Sequence, residues 1–218
     1  MFQSVLFDLD GTLLDSLADL ANSMNTVLAR FGLPRHPQAA YRYFVGDGME
    51  TLARRVLPPE QLDDATVQRT MAAMREEYAG RWAEQTRPYP GIPELLDGLT
   101  GRGIGMAILS NKPDDFTREV VAALLARWRF DVVQGVRQDG IKKPDPAGAL
   151  AIAQKLHVAP ASVLYLGDTN TDMLTASRAG MYAVGALWGF RTADELKKNG
   201  ARAMIARPQD LLRFFPSP

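Results

Sequence analysis

Three apolar runs that each lead into a cluster of polar residues constrain the fold of this chain more than any other feature. They are Ser4–Asp10, Ile104–Leu109 and Val163–Gly167. Short, continuous apolar runs are typical of strands that are buried on both faces, as in a parallel sheet. Segments with helical spacing lie between them, and this alternation predicts an α/β fold, a parallel sheet with helices on both faces. Further strands are predicted at Val132–Val133 and Met181–Gly185, and helices at Pro93–Leu99, Phe116–Leu125, Pro146–Leu156 and Met173–Ala179.

Residues 15–85 differ from the rest of the chain, because nothing in them has the pattern of a strand. Their apolar residues recur at the spacing of amphipathic helices. We therefore predict a small all-helical cap, residues 15–85, inserted after the first strand of a core formed by residues 1–14 and 86–218. Ser16 and Asp19 have the spacing of a capping box at the start of the first helix. The helices are predicted at Ser16–Phe31, Met49–Leu57 and around Met71, Met74 and Tyr78.

Composition excludes several classes of function. The chain has no cysteine, so disulfides, thiolate zinc sites and a cysteine nucleophile are impossible. Lys plus Arg equals Asp plus Glu at 25 each, which gives no reason to expect nucleic acid or an acidic membrane surface as partner. With neither a signal peptide nor a run of about 18 apolar residues, we expect a cytoplasmic location and no membrane partner.

The first polar cluster contains Asp8, Asp10 and Gly11. Asp8 and Asp10 are two residues apart, so on a strand that reached this far their side chains would lie on one face. Gly11 allows a sharp turn whose backbone N–H groups can bind an anion. A surface Asp-Gly turn is the structural alternative for this cluster.

The other clusters supply groups that complement the first. Ser110 and Asn111 can bind phosphate oxygens, and Lys143 supplies a cation, although each would also suit an ordinary loop. Asp168 and Asp172 are four residues apart, which places them on one face of a helical turn, where either could be an N-cap. Carboxylates that converge at one sheet edge repel one another, and a hard divalent cation such as Mg²⁺ relieves that repulsion.

In this order, the four clusters resemble the four motifs of the haloacid dehalogenase superfamily. Asp8–Leu13 is similar to the first motif, Ser110–Asn111 to the second, Lys143–Pro144 to the third and Gly167–Asp172 to the fourth. The resemblance covers nearly the whole chain. It implies a Rossmann-like core with a helical cap after the first motif, in agreement with the insertion predicted above.

Three local features resemble phosphoglycolate phosphatases more closely. They are Val45–Gly48, Ser110–Pro113 and Trp188–Thr192. This resemblance implies a phosphatase whose partner is a small phosphate monoester, with 2-phosphoglycolate, hydrolysed to glycolate and phosphate, as the expected substrate. A monomer or a homodimer is expected.

The resemblance also implies catalytic roles. Asp8 would be the nucleophile that forms an aspartyl phosphate, and Asp10 would protonate the departing alkoxide and then activate water. Ser110 and Lys143 would hold phosphate oxygens. Mg²⁺ would be bound by the carboxylates of Asp8 and Asp168 and by the Asp10 backbone carbonyl.

Other positions have supporting roles in this interpretation. Asp172 would lie behind the residues that bind the metal directly. Backbone amides near Gly11 and Asn111 would contact phosphate, and Gly46 in the cap would approach the substrate closely. Arg54, or its neighbour Arg55, would pair with a substrate carboxylate, unless both arginines simply lie on a solvated helix face. The linkers Leu14–Ser16 and Arg87–Gly91 would act as hinges.

Several alternatives stay open. A broad-specificity sugar phosphate or nucleotide phosphatase and a sugar phosphate mutase share the same motifs. A dehalogenase needs neither Asp10 nor Asp168, and a phosphonate hydrolase needs a cap lysine, which residues 15–85 lack. A non-catalytic binding module on this scaffold would have lost an essential group, whereas Asp8, Asp10, Lys143 and Asp168 are all present.

Overall fold

Strands and helices alternate along the chain in the computed structural model, which describes residues 2–137 and 140–216. The strands are β1 Ser4–Phe7, β2 Leu14–Asp15, β3 Arg87–Pro88, β4 Gly105–Pro113, β5 Val132–Val136, β6 Val163–Gly167, β7 Tyr182–Ala186 and β8 Ala203–Ile205. The α-helices are α1 Leu17–Arg30, α2 Tyr41–Phe44, α3 Met49–Val56, α4 Asp64–Ala79, α5 Ile92–Gly101, α6 Asp114–Leu124, α7 Ala147–Lys155, α8 Asn170–Arg178 and α9 Ala193–Lys198. Short 3₁₀ helices lie at Gln38–Ala40, Pro59–Gln61, Pro160–Ser162 and Pro208–Phe214.

Six strands form one parallel sheet in the order β5-β4-β1-β6-β7-β8. The central strand β1 pairs with β4 on one side and β6 on the other, so that Phe7 lies opposite both Ile108 and Leu166. The chain therefore builds the sheet outward in two directions from β1. In sheets of this kind a crevice opens at the carboxyl ends of the strands on either side of such a reversal, and ligands bind there. The predicted parallel sheet is confirmed.

Helices cover both faces of the sheet, because side chains of β1 alternate between two buried clusters. Val5 and Phe7 belong to a large cluster that includes residues of α5 and α6, whereas Leu6 belongs to a second cluster with residues of α7 and α8. All three β1 side chains are fully buried. A strand that is apolar on both faces thus needs helices on both sides, as the sequence predicted.

Residues 16–86, all of which the structure describes, contain helices and turns but no strand. Within this segment α4 packs against both α1 and α3. On either side of it, Leu14 pairs with Pro88 and Asp15 with Arg87 in the antiparallel β2–β3 pair. The two linkers that we predicted as hinges are therefore joined in a short ribbon. On this arrangement we propose that the cap comprises residues 15–85.

The predicted capping box at the start of α1 is wrong, because both of its side chains bond elsewhere. Ser16 makes no cap hydrogen bond and donates instead to Oδ1 of Asp10 at 2.7 Å. The buried Asp19 carboxylate accepts hydrogen bonds from the N–H groups of Gln85 and Thr86 and from the Thr86 hydroxyl. The bonds of Asp19 connect the first turn of α1 to the residues just before the second linker.

The sheet continues further than the sequence indicated. The strand β8 and the 3₁₀ helix Pro208–Phe214 both follow the last predicted strand. A strand of three residues is too short for periodicity to reveal it.

Across the described residues, no helix combines the length and the apolar character needed to cross a membrane.

Candidate active site

Asp8 lies at the carboxyl end of β1, in the crevice between β4 and β6. Its N–H donates to the carbonyl of Leu166 at 2.9 Å, which extends the sheet pairing by one residue and fixes the direction of the side chain. The buried carboxylate accepts a hydrogen bond from Nζ of Lys143 at 2.6 Å through Oδ1. Oδ2 accepts no hydrogen bond from the described residues, which leaves this oxygen available as a nucleophile.

Asp8, Asp168 and Asp172 form a buried cluster in which carboxylate oxygens lie within 4.8 Å of one another. Nζ of Lys143 contacts Oδ1 of Asp8 and, at 2.7 Å, Oδ1 of Asp172. Burial and the neighbouring Asp172 raise the pKa of Asp8 well above its ordinary value, although Lys143 acts in the opposite direction. Burial and Asp172 also raise the pKa of Asp168, to about 6. The single positive charge of Lys143 therefore does not balance the three buried carboxylates.

The acidic cluster fits a divalent metal ion. Hard cations prefer oxygen ligands, and an additional positive charge would relieve the repulsion within the cluster. Asp172 is less free to bind an ion, since Thr169 donates twice to its Oδ2, and Lys143 and Tyr165 donate to its Oδ1. Asp8 and Asp168 are therefore the better candidates for direct ligands, with Asp172 orienting Lys143 behind them.

Asp168 is held from two sides by parts of the chain that approach it closely. Its Oδ1 accepts from the Thr12 hydroxyl at 2.8 Å, and its Oδ2 accepts from the Phe190 N–H at 2.7 Å. Gly11 has a φ of +94°, and a Cβ atom there would lie 2.4 Å from Oδ2 of Asp168. The Gly11 N–H donates to the Leu14 carbonyl at 2.8 Å, so the predicted phosphate contact by this amide is wrong. Gly11 instead leaves room for Asp168.

Asn111 positions Lys143 and the cap at the same time. Its side-chain amide donates to the carbonyls of Lys143 and Gly46, both at 3.0 Å, and its side-chain oxygen accepts from the Lys143 N–H at 2.8 Å. The side chain is therefore already occupied, and a contact with phosphate would have to come from the Asn111 backbone.

The Ser110 Oγ accepts from the Lys112 N–H at 3.1 Å, which leaves its hydroxyl hydrogen for a phosphate oxygen.

Asp10 is paired with a lysine that sequence reasoning missed. Nζ of Lys112 lies 2.9 Å from Oδ2 and 3.1 Å from Oδ1 of Asp10, and it donates to the Tyr78 hydroxyl at 2.9 Å. Burial lowers the pKa of Lys112, but Asp10 and Tyr78 outweigh burial and raise it above its ordinary value. Lys112 is therefore charged. The only signal in the sequence was a lysine directly after Ser110 and Asn111.

A cavity of about 60 Å³ lies between the core and the cap, next to Asp8. Polar side chains of the core line one side, and the other side is largely apolar. The core contributes Asp8, Asp10, Ser110, Asn111, Lys112, Pro113 and Phe116, and the cap contributes Leu20, Val45, Gly46, Gly48, Met49, Leu52 and Tyr78. The structure thus brings the predicted Asp8, Asp10, Ser110, Asn111 and Gly46 to one cavity.

The cap loop that closes this cavity, residues 45–48, is bonded directly to the core. Besides the contact between Asn111 and Gly46, the Asp47 carboxylate accepts from the Thr171 hydroxyl at 2.7 Å. Lys142 donates to the Asp47 carbonyl at 3.1 Å, and Arg191 donates to the Val45 carbonyl at 3.1 Å. The structure therefore shows the cap closed over the site.

A family model described as haloacid dehalogenase-like hydrolase matches residues 5–186, more than four fifths of the chain. The chain belongs to this family. The match confirms the resemblance drawn from the four motifs.

Several relatives of the chain share the name phosphoglycolate phosphatase. The phosphoglycolate phosphatase of Aquifex aeolicus is 31% identical over 97% of this chain and 95% of its own. That of Pseudomonas putida is 35% identical over 85% of this chain and 70% of its own. A crystal structure from Haemophilus somnus, described as a predicted phosphoglycolate phosphatase, has a TM-score of 0.91 at 26% identity and covers 99% of this chain and 98% of its own.

The two cap arginines do not fit the role that the sequence suggested for this hydrolase. Arg54 is paired with Glu50 at 3.0 Å and with Asp64 at 2.8 Å, and it is not among the residues that line the cavity. Its predicted contact with substrate is therefore wrong. Arg55 is paired with Asp47 at 2.6 Å and donates to the carbonyl of Tyr43, so it supports the cap loop.

Proposed function

We propose that the chain is a metal-dependent phosphatase that hydrolyses small phosphate monoesters through an aspartyl phosphate, with 2-phosphoglycolate as its preferred substrate. The observation that carries this proposal is the placement of Asp8, with one unbonded oxygen, beside Lys143 and in the same cavity as Asp10. A nucleophile, a cation for the phosphate and a carboxyl group for the leaving group are the groups that this reaction needs. The names of the relatives support the choice of substrate.

In the proposed reaction, Oδ2 of Asp8 attacks phosphorus, and the bond between phosphorus and the ester oxygen breaks. Asp10 gives its proton to that oxygen, so glycolate leaves as an alcohol. Asp10 then takes a proton from a water molecule, which attacks the phosphorus of the aspartyl phosphate and restores the Asp8 carboxylate. Lys143 and the Ser110 hydroxyl hold the phosphate oxygens throughout.

We propose Mg²⁺ as the metal, bound by the carboxylates of Asp8 and Asp168 and by the backbone carbonyl of Asp10. When bound there, such an ion would shield the charge of Asp8 from the incoming phosphate and would stabilise the transferring group. Asp172 supports the site by holding the ammonium of Lys143. The charge deficit of the acidic cluster is what supports a divalent ion here.

The limited volume of the cavity favours small leaving groups. A water molecule needs about 10–15 Å³ of such volume, so a cavity of about 60 Å³ has room for only a few non-hydrogen atoms. Glycolate is a leaving group of only five non-hydrogen atoms, whereas a nucleoside or a hexose is several times larger and would extend into the open part of the cavity. The cap also limits the access of bulk water to the reacting phosphate. These considerations favour a two-carbon substrate over the nucleotide and sugar phosphate alternatives.

A screen of phosphate monoesters tests this proposal. Release of inorganic phosphate would be measured for 2-phosphoglycolate, a hexose phosphate, a nucleoside monophosphate and p-nitrophenyl phosphate, with Mg²⁺ and with a chelator. We expect hydrolysis with Mg²⁺ only, fastest for 2-phosphoglycolate. Asp8→Asn should abolish release, while Asp194→Asn, at an exposed position on α9, should not. Substantial activity in a folded Asp8→Asn variant would contradict the covalent mechanism.

A further inference from the structure

The ammonium of Lys112 lies in the wall of the cavity, yet none of the steps described above uses it. The residue is only 8% exposed. Among the described residues that line the cavity, it is the only one with a positively charged side chain. A buried charge is costly unless it is paired, and Lys112 is paired with two side chains, Asp10 and Tyr78.

Both partners of Lys112 line the same cavity as the proposed nucleophile Asp8. Asp10 must reach the ester oxygen in order to protonate it, and the Lys112 ammonium is 2.9 Å from Asp10. Tyr78, the other partner, belongs to the cap and is buried above the site. An ammonium has three N–H groups, and here three acceptor atoms lie within hydrogen-bond distance, two of them on the Asp10 carboxylate. An incoming oxygen acceptor would therefore replace one of the two contacts with Asp10.

Most of the other described side chains that line this part of the cavity are apolar and cannot pair with an anion. On this side the cavity is lined by Leu20, Val45, Met49, Leu52 and Phe116. A carboxylate against these side chains would stay unpaired and lose its hydration, which costs several kcal/mol. In 2-phosphoglycolate one carbon separates the ester oxygen from the carboxylate. A substrate whose ester oxygen lies at Asp10 therefore places its carboxylate within reach of Lys112.

We propose that Lys112 binds the carboxylate of the substrate and selects phosphate monoesters that carry a carboxylate one carbon from the ester oxygen. Tyr78 holds the ammonium in place when the cap is closed, so the selection depends on both the core and the cap. This inference rests on the proposed phosphatase function and adds the residue that determines its specificity. It assigns to Lys112 the role that the sequence suggested for Arg54.

The test compares two substrates of the same shape, 2-phosphoglycolate and the phosphate ester of glycolamide, which has a neutral amide in place of the carboxylate. The readout is the ratio of their kcat/KM values. We expect the wild-type chain to prefer 2-phosphoglycolate, and Lys112→Gln to reduce the ratio by roughly 10- to 100-fold, as expected for a lost hydrogen bond between charged groups. Lys112→Arg should retain most of the preference, and Lys155→Met, at an exposed lysine on α7, should leave the ratio unchanged.

The ratio separates this role from others. If Lys112 only orients Asp10, Lys112→Gln slows both substrates equally and the ratio stays constant, which overturns the proposal. A wild-type ratio near one overturns it as well, whether or not the variant folds. In both cases hydrolysis by the wild-type chain would still support the phosphatase. If the wild-type chain released phosphate from neither substrate, the proposed function itself would fail.

Discussion

Lys143 and Asp8 are 135 positions apart in the chain, yet Nζ of Lys143 lies 2.6 Å from Oδ1 of Asp8. Both groups are buried, and the same ammonium also contacts Asp172. Burial alone would lower the pKa of Lys143, but Asp172 and Asp8 raise it well above its ordinary value. Lys143 therefore remains charged and links the first, third and fourth motifs of the family at one point.

Replacing Lys143 should destabilise the chain as well as inactivate it. Lys143→Met would leave Asp8 and Asp172 buried without their cation, and loss of one partner of a buried pair costs about 3–5 kcal/mol. We expect a fall of this order in the free energy of unfolding, measured by urea denaturation, together with loss of phosphate release. Lys155→Met, at the exposed α7 position, should change stability by less than about 0.5 kcal/mol. If Lys143→Met had the unfolding free energy of the wild-type chain, the ion pairs of Lys143 with Asp8 and Asp172 would not stabilise the fold.

Asp10→Asn should affect substrates according to their leaving groups. An alkoxide is a poor leaving group and needs a proton, and a positioned general acid contributes roughly 10²- to 10⁴-fold. We expect kcat for 2-phosphoglycolate to fall by this factor. The leaving group of p-nitrophenyl phosphate departs without a proton. For this substrate the rate of aspartyl phosphate formation, measured as the pre-steady-state burst, should fall far less in Asp10→Asn. If Asp10→Asn lowered the burst rate by the same factor for both substrates, Asp10 would not be the general acid.

Metal-free protein should lose stability as the pH rises. The pKa of Asp168 in the folded chain is about 6, above the ordinary 3.8, because of burial and the neighbouring Asp172. The folded state therefore binds this proton more tightly than the unfolded state does. The stability that results is fully present below pH 3.8 and is lost as the pH passes through about 6.

Denaturation at several pH values in the presence of a chelator measures this effect. The difference in unfolding free energy between the wild-type chain and Asp168→Asn should grow in favour of the variant between pH 3.8 and about 6. Adding Mg²⁺ should stabilise the wild-type chain, most strongly above this range, and should stabilise Asp168→Asn much less. If this difference in unfolding free energy did not change with pH, the pKa of Asp168 would not be raised in the folded chain.

Gly11→Ala should be far more harmful than the same change at Gly32. Both glycines have positive φ values, +94° and +71°, but a Cβ at Gly32 would have nothing within 4 Å, whereas one at Gly11 would meet Asp168. The Gly32 change should therefore cost only the left-handed strain of about 1–2 kcal/mol. Gly11→Ala should cost more and also abolish metal-dependent activity. Equal unfolding free energies in the two variants would contradict the close approach to Asp168.

The sequence predicted the sheet and the convergence of Asp8 and Asp168, because residues that follow parallel strands must meet at one edge. It did not reveal the pairing of Asp10 with Lys112, because we predicted the second strand to end at Leu109, whereas β4 continues through Lys112 to Pro113. Arg54 could have been interpreted correctly: Glu50 precedes it by four residues, and such pairs form along one helix face. Ser16 and Asp19 have the spacing of a local cap, but Ser16 bonds to Asp10 before the helix and Asp19 bonds to Gln85 and Thr86, more than 60 residues away.

The central claim, that Asp8 carries the phosphate, can be tested by chemical trapping. The chain would be mixed with 2-phosphoglycolate and Mg²⁺, quenched in acid, and treated with borohydride, which reduces an aspartyl phosphate to homoserine. We predict homoserine at position 8 by peptide mass spectrometry, and none in a sample without substrate. Efficient turnover without any trapped product at Asp8, or with the product at another carboxylate, would contradict the account.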